Sequence, residues 1–147
     1  MAIYSPLGEL QFSQKAVALF IAAIDAMGRY SIPSGELSIA LLDDGTMAAM
    51  HGKFLSDPTP TDVITFPGNP AERFAGEICI AVGYAARSAK EHGVPLGDEI
   101  ALYLVHGWLH LAGLDDATEE GAALMRSAEK ELLDHARMRD LIPNFRL

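Results

Sequence analysis

Two histidines four residues apart, His106 and His110, stand in the run HGWLHLAGLDD, and two aspartates, Asp115 and Asp116, close it. On a helix, positions i and i+4 lie one turn apart on one face, so both imidazoles can turn a nitrogen toward a common point. Such a pair can chelate one metal ion. A catalytic zinc takes three protein ligands and keeps a fourth position for water, whose pKa it lowers toward neutrality. Gly113 can reverse the chain after the helix and bring Asp115 or Asp116 back toward the pair, and Asp116 is the expected third ligand. A carboxylate in that place lowers the net charge of the site and weakens Lewis acidity relative to a third imidazole. The general-base glutamate of HExxH zinc helices is replaced by Gly107, which is expected to leave room beside the ion for a bulky group such as a phosphodiester.

The same residues have purely structural readings. Two histidines on an otherwise apolar helix each need a polar partner. Asp116 opens D-A-T-E (116–119), a capping-box spelling with Glu119 three residues on, and Thr118 could cap the same helix. Asp115 could orient a ligating imidazole from behind or be a solvated turn residue. His51, His92 and His135 read as solvent-exposed, and Cys79 and Trp108, embedded in apolar sequence, as core.

Periodicity shows which elements must hold the constellation. Ser13 caps a helix over QKAVALFIAAIDAM that Gly28 ends. ELSIALL (36–42) reads as a strand, and the turn Asp43-Asp44-Gly45 separates it from a short helix, TMAAMHGKF. LSDPTPT (55–61) is a loop. DVITF (62–66) reads as a strand stopped by Pro67-Gly68, and EICIAV (77–82) as its antiparallel partner across a long loop. A helix follows from Gly83 to Gly93. Asp98 is expected to cap EIALYLVHGWLHLA (99–112), which is apolar on nearly every face and therefore central and buried. An amphipathic helix over 119–137 comes last. The sum is one α/β (α+β) domain over 1–147: a mixed sheet of three to four strands, four to five helices, and the metal site at the end of the buried central helix.

Composition narrows the function further. Of 147 residues, 50% are hydrophobic and 21% charged, as in ordinary globular chains, and no apolar run reaches membrane-spanning length. MAIYSPLGEL lacks the basic start and long apolar stretch of a secretory signal, and Cys79 is the only cysteine, so the expected setting is the cytoplasm. A net charge of −9 argues against broad attraction to phosphates, so a polyanion would have to meet a local cation such as a bound metal.

The run HGWLHLAGLDD resembles the signature H-G-x-L-H-L-x-G-Y-D-H of the YbeY-type endoribonucleases, bacterial ribosomal RNA maturation factors, with seven of nine specified positions matching. PTDVITFP (60–67) is similar to the family's P-T-[DN]-V-L-S-F-P, and GEICIA (76–81) to its G-D-I-x-I, so the resemblance covers roughly residues 36 to 137. It implies one zinc per chain on His106, His110 and Asp116, the last standing where the family has a third histidine. It also implies cleavage of single-stranded RNA in the maturation of small-subunit ribosomal RNA and in ribosome quality control.

One departure bears on catalysis. The family's arginine before PTDV aligns with Leu55, so the cation that stabilises developing charge would have to be Lys53, Arg73 or Arg87, with Asp115 a candidate base and Thr61 and Asp62 candidate cleft residues. Leu55 and the acidic charge suit a non-catalytic ribosome-assembly or RNA-binding factor with a structural metal. A zinc peptidase is the third reading, and Gly107 counts against it.

Overall fold

Isoleucine, leucine and alanine fill ELSIALL and FAGEICIA almost without polar interruption, and these two runs become the central, parallel strands β2 (Glu36–Leu42) and β4 (Phe74–Ala81). Such continuous apolarity suits strands covered on both faces. The computed structural model describes residues 1–55 and 62–147; the loop expected over 55–61, and the roles weighed for Thr61 and the Leu55 side chain, lie outside this description. At one edge of the sheet, β1 (Ala2–Tyr4) runs parallel to β2, and at the other β3 (Val63–Asn69) runs antiparallel to β4, giving the order β1-β2-β4-β3.

β3 differs from expectation in running through Pro67-Gly68 instead of stopping there. Among the described residues it is an edge strand with β4 as its sole partner, so the N–H that Pro67 lacks is not missed. Gly68 is required next to it, because a Cβ at that position would collide with the Phe74 carbonyl oxygen. The expected long loop therefore shrinks to a 3-10 turn, Pro70–Glu72, followed by Arg73 in the left-handed conformation (φ 53°).

Five α-helices are present among the described residues. α1 (Gln14–Ala26) is capped as expected, Ser13 Oγ accepting from Ala16 N at 3.1 Å. α2 (Asp44–Leu55) starts two residues before its expected beginning, because Asp43 is a cap and not a free turn residue. Its Oδ1 accepts from Thr46 N and its Oδ2 from the Thr46 hydroxyl, each at 2.8 Å, and these bonds hold the Asp43 carboxyl below the usual range. α3 (Val82–His92) ends at Gly93. α4 (Leu96–Leu111) begins earlier than expected, with Pro95 at the N-cap; Asp98 is not the cap but lies in the first turn, where its carboxylate faces the positive end of the helix dipole. α5 (Glu119–Met138) completes the fold.

Alternation along the strands divides the core in two. Ile39, Leu41, Ile78 and Ile80 meet Phe20, Ile24, Leu104, Trp108 and Leu132 from α1, α4 and α5 on one face. On the other, Ala40, Leu42, Ile64 and Cys79 lie under Met47 of α2. Trp108 and Cys79 are both fully buried, and burial pushes the Cys79 thiol pKa far up, leaving a small inert hydrophobe. No helix among the described residues is long and apolar enough to cross a membrane.

Candidate metal centre

α4 carries Ile100, Leu104, Val105, Trp108 and Leu109 into the core and leaves His106 and His110 half-buried on its remaining face. The helical pitch sets their rings edge to face, with centroids 4.6 Å apart and the two Nε2 atoms 3.1 Å apart. The chain then leaves the helix through Gly113, whose φ of 103° strongly favours glycine. That turn returns Asp116 to the pair: Oδ2 stands 3.6 Å from His106 Nε2 and Oδ1 3.6 Å from His110 Nε2.

Three ligand atoms at zinc-bond length from a tetrahedral centre stand roughly 3.3–3.6 Å from one another. The two Nε2 atoms are 3.1 Å apart and each has a different oxygen of Asp116 at 3.6 Å, so the three side chains converge on one point and could hold a metal ion. Donor chemistry fits as well. His106 Nδ1 is paired with Glu129 Oε2 at 2.9 Å, so in the neutral ring the proton sits on Nδ1 and the Nε2 lone pair faces the other two groups. The same bond to Glu129 is the main reason His106 titrates above its ordinary value; the charges of Glu129, Asp116 and Asp62 add to it, and burial opposes it.

Glu129 escapes sequence reasoning, being 19 residues beyond His110 and on a different helix. A trace of it exists. Met125, Leu132 and Ala136 mark the buried seam of α5, and Glu129, with a side chain only 14% exposed, occupies the seam position between the first two. A carboxylate on a core-facing stripe needs a partner, and His106 is that partner.

The two readings of Asp116 separate cleanly. Thr118 is the N-cap of α5, its Oγ1 accepting from Gly121 N at 3.0 Å, which leaves Asp116 to the histidines. Asp115 is the exposed turn residue of the two alternatives, its Oδ1 accepting from Ala117 N at 3.1 Å; the carboxylate orienting an imidazole is Glu129 instead. Gly107 also departs from expectation. A Cβ there would come within 2.7 Å of Ile78 Cγ2 and 3.2 Å of Thr65 Cγ2, so its bare backbone serves close packing of α4 on β3 and β4 and opens no space beside the histidines.

The open space beside the histidines is instead a cleft of about 210 Å³ between α4 and the sheet edge, walled by Val63, Ile64 and Thr65 of β3 and by His106 and His110. Asp62, half-buried beside that wall, accepts from Val63 N at 2.8 Å and adds its charge to the field on His106 without lining the cleft. None of the cations considered lines it either. Arg87 on α3 is bound to Asp44 Oδ2 at 2.7 Å with its guanidinium 5.8 Å from the Tyr84 ring centre, Lys53 is exposed in the last turn of α2, and Arg73 is at the hairpin tip. His92 is exposed as expected, whereas His51 and His135 are half-buried; none of the three belongs to the group.

A two-histidine, one-carboxylate triangle at the end of a buried helix, braced from behind and open to a cleft over a mixed sheet, defines a small α/β protein organised around a candidate metal centre. The chain belongs to the YbeY family: the profile described as Endoribonuclease YbeY matches residues 8–137. Similar proteins named Endoribonuclease YbeY include that of Rhodococcus opacus, 38% identical over 114 residues, or 69% of this chain and 63% of the relative. That of Dinoroseobacter shibae is 35% identical over 121 residues, covering 70% and 67% of the two chains. The match thus spans less than two thirds of the Rhodococcus protein. The solution structure of TM1509 from Thermotoga maritima superposes with a TM-score of 0.61 at 21% identity, covering 96% of this chain and 95% of that one, and shares its fold.

Proposed function

We propose that this chain is an endoribonuclease that cuts single-stranded RNA with one zinc held by His106, His110 and Asp116, and that it works in the cytoplasm on small-subunit ribosomal RNA, in maturation and ribosome quality control. The observation that carries the reading is the ligand triangle with its Glu129 brace, in a chain of the YbeY family. Bound zinc supplies a Lewis acid and lowers the pKa of water toward neutrality.

The chain's own residues do the rest. Glu129 keeps the His106 proton on Nδ1 and fixes the ring plane. Val63, Ile64 and Thr65 form the wall along which a single strand would lie. Asp62, Asp116 and Glu129 make the surroundings of His106 strongly negative, and the whole chain carries −9, so a phosphodiester approaches only when a cation has offset that field.

A second reading, an RNA-binding assembly factor with a structural metal, is favoured by one observation: among the described residues, no lysine or arginine lines the cleft. The peptidase reading has no such support, since Gly107 is packed against the sheet and no glutamate takes the HExxH position. The deciding experiment incubates the full chain with an end-labelled single-stranded RNA, with and without chelator, beside His110→Ala. Cleavage that stops in both controls supports the nuclease. One zinc per chain with no cleavage at any protein concentration would replace it by the assembly factor.

A further inference from the structure

Among the five α-helices, α3 alone carries a net positive charge: Arg87 and Lys90 against Glu91 leave +1, in a chain of −9. Its solvent side borders a groove of about 420 Å³ lined, among the described residues, by Tyr84, Arg87, Ser88, Glu91 and His92. Positions 84, 87, 88 and 91 share one helix face. Two of these residues are held in place by Asp44 of α2, whose Oδ1 accepts from Tyr84 N at 3.0 Å while its Oδ2 pairs with Arg87 Nη2 at 2.7 Å. The guanidinium lies beside the exposed Tyr84 ring, and the Arg87 side chain is still 64% exposed, so the N–H groups not turned to Asp44 are open to a second anion. The groove also adjoins the metal centre. Ser88 is within hydrogen-bonding reach of Tyr103 on α4, and position 103 shares a helix face with position 110, about 10 Å away along the axis.

We propose that the α3 groove holds single-stranded RNA next to the nucleotides being cut, a base stacking against Tyr84 and a phosphate of the flanking backbone meeting Arg87. The inference rests on the nuclease reading and names the part of the substrate that reading leaves without a cation, since no lysine or arginine among the described residues lines the cleft. Proteins that hold single strands combine a basic groove with an aromatic platform, and here one helix face supplies both. Ser88 Oγ and His92 Nδ1, 3.3 Å apart, add polar groups for the backbone. Glu91 lies two turns beyond Tyr84, so the attraction is concentrated at the Tyr84–Arg87 end. Stacking and phosphate contacts accept any base, so the groove adds affinity without choosing the cleavage site.

The test uses the full zinc-loaded chain and a fluorescent single-stranded RNA dodecamer, with affinity read from anisotropy where the RNA stays whole and from KM where it is cut. Tyr84→Ala should weaken affinity about tenfold and leave kcat unchanged, whereas Tyr84→Phe, which keeps the ring, should behave as the parent chain. Arg87→Gln should weaken affinity and flatten the slope of log affinity against log salt by about 0.7, the loss of one phosphate contact to a single strand. Lys15→Gln, which removes the same charge from an exposed position on α1, should change neither quantity. Unfolding temperatures equal to that of the parent chain would set a folding defect aside. RNA bound as tightly by Tyr84→Ala and Arg87→Gln as by the parent, or a salt slope that Arg87→Gln and Lys15→Gln lower equally, overturns the proposal. Cleavage that persists beside that result leaves the nuclease reading standing, and absent cleavage with the expected losses of binding removes the nuclease and keeps the RNA groove.

Discussion

The two faces of α4 are built on opposite terms. One carries Leu104, Trp108 and Leu109, all fully buried, and its contribution is the ordinary one of apolar surface removed from water. The other carries His106 and His110, whose side chains keep 27% and 26% of their exposure and whose partners are carboxylates from a different helix and from the loop before it. The first face holds the helix in place, and the second uses that place. Because each face draws on different neighbours, damage to one should leave a distinct signature from damage to the other.

The largest effect expected is on the buried side. Trp108→Ala should lower stability by about 3–5 kcal/mol, read by denaturant unfolding, and lose activity only as the folded fraction falls. His110→Ala should do the reverse, dropping zinc content from one per chain toward none and cleavage by at least about 100-fold while apo stability changes by less than about 1 kcal/mol. An unfolded His110→Ala would erase the division between the faces.

Glu129→Gln comes next, since it keeps a neutral acceptor for His106 Nδ1 but removes the charge. Zinc affinity should fall about 10–100-fold by competition with a fluorescent chelator, with the fold intact. The same variant sharpens the pH behaviour. The Glu129 bond raises the His106 pKa, and metal must displace the His106 proton, so affinity should weaken as pH falls through that raised value. In Glu129→Gln the midpoint should move to lower pH. For the metal-free protein the sign is opposite: the imidazolium–Glu129 pair contributes stability that is complete below the unfolded-state pKa of about 6.5 and is lost as pH rises through the higher folded value. Urea midpoints across that range, with and without zinc, would read both.

The smallest effect separates the neighbours Asp116 and Thr118. Thr118→Ala should cost about 1 kcal/mol of stability and leave zinc binding unchanged. Asp116→Asn should leave stability nearly unchanged and weaken zinc. Equal effects on both quantities in both variants would mean that cap and ligand are not distinct roles.

What could be read in advance follows the range of the forces involved. The helix over 14–26, the strand over 36–42 and the central burial of α4 depend on local periodicity and capping, and each agrees with the fold. Pro67-Gly68 looked like a stop because local chemistry does not reveal that β3 is an edge strand. β1, with three residues, is too short for any period to register. At the site, the histidine pair was legible because its spacing is that of one helical turn. Two carboxylates competed for the third position and two residues for the cap, and the turn at Gly113 decides between them only in three dimensions. Glu129 was out of reach because what pairs it with His106 is the packing of α5 on α4.

Gly107 has the widest consequence of these. With only a hydrogen to interpose, α4 rests directly on Ile78 and Thr65, and Thr65 is itself part of the wall facing the histidines. The gap between imidazoles and wall is therefore gauged by an interatomic contact inside the core. A methyl group added at this one position would act as a shim, lifting the helix and resizing the mouth of the cleft without changing a single residue that a substrate could touch.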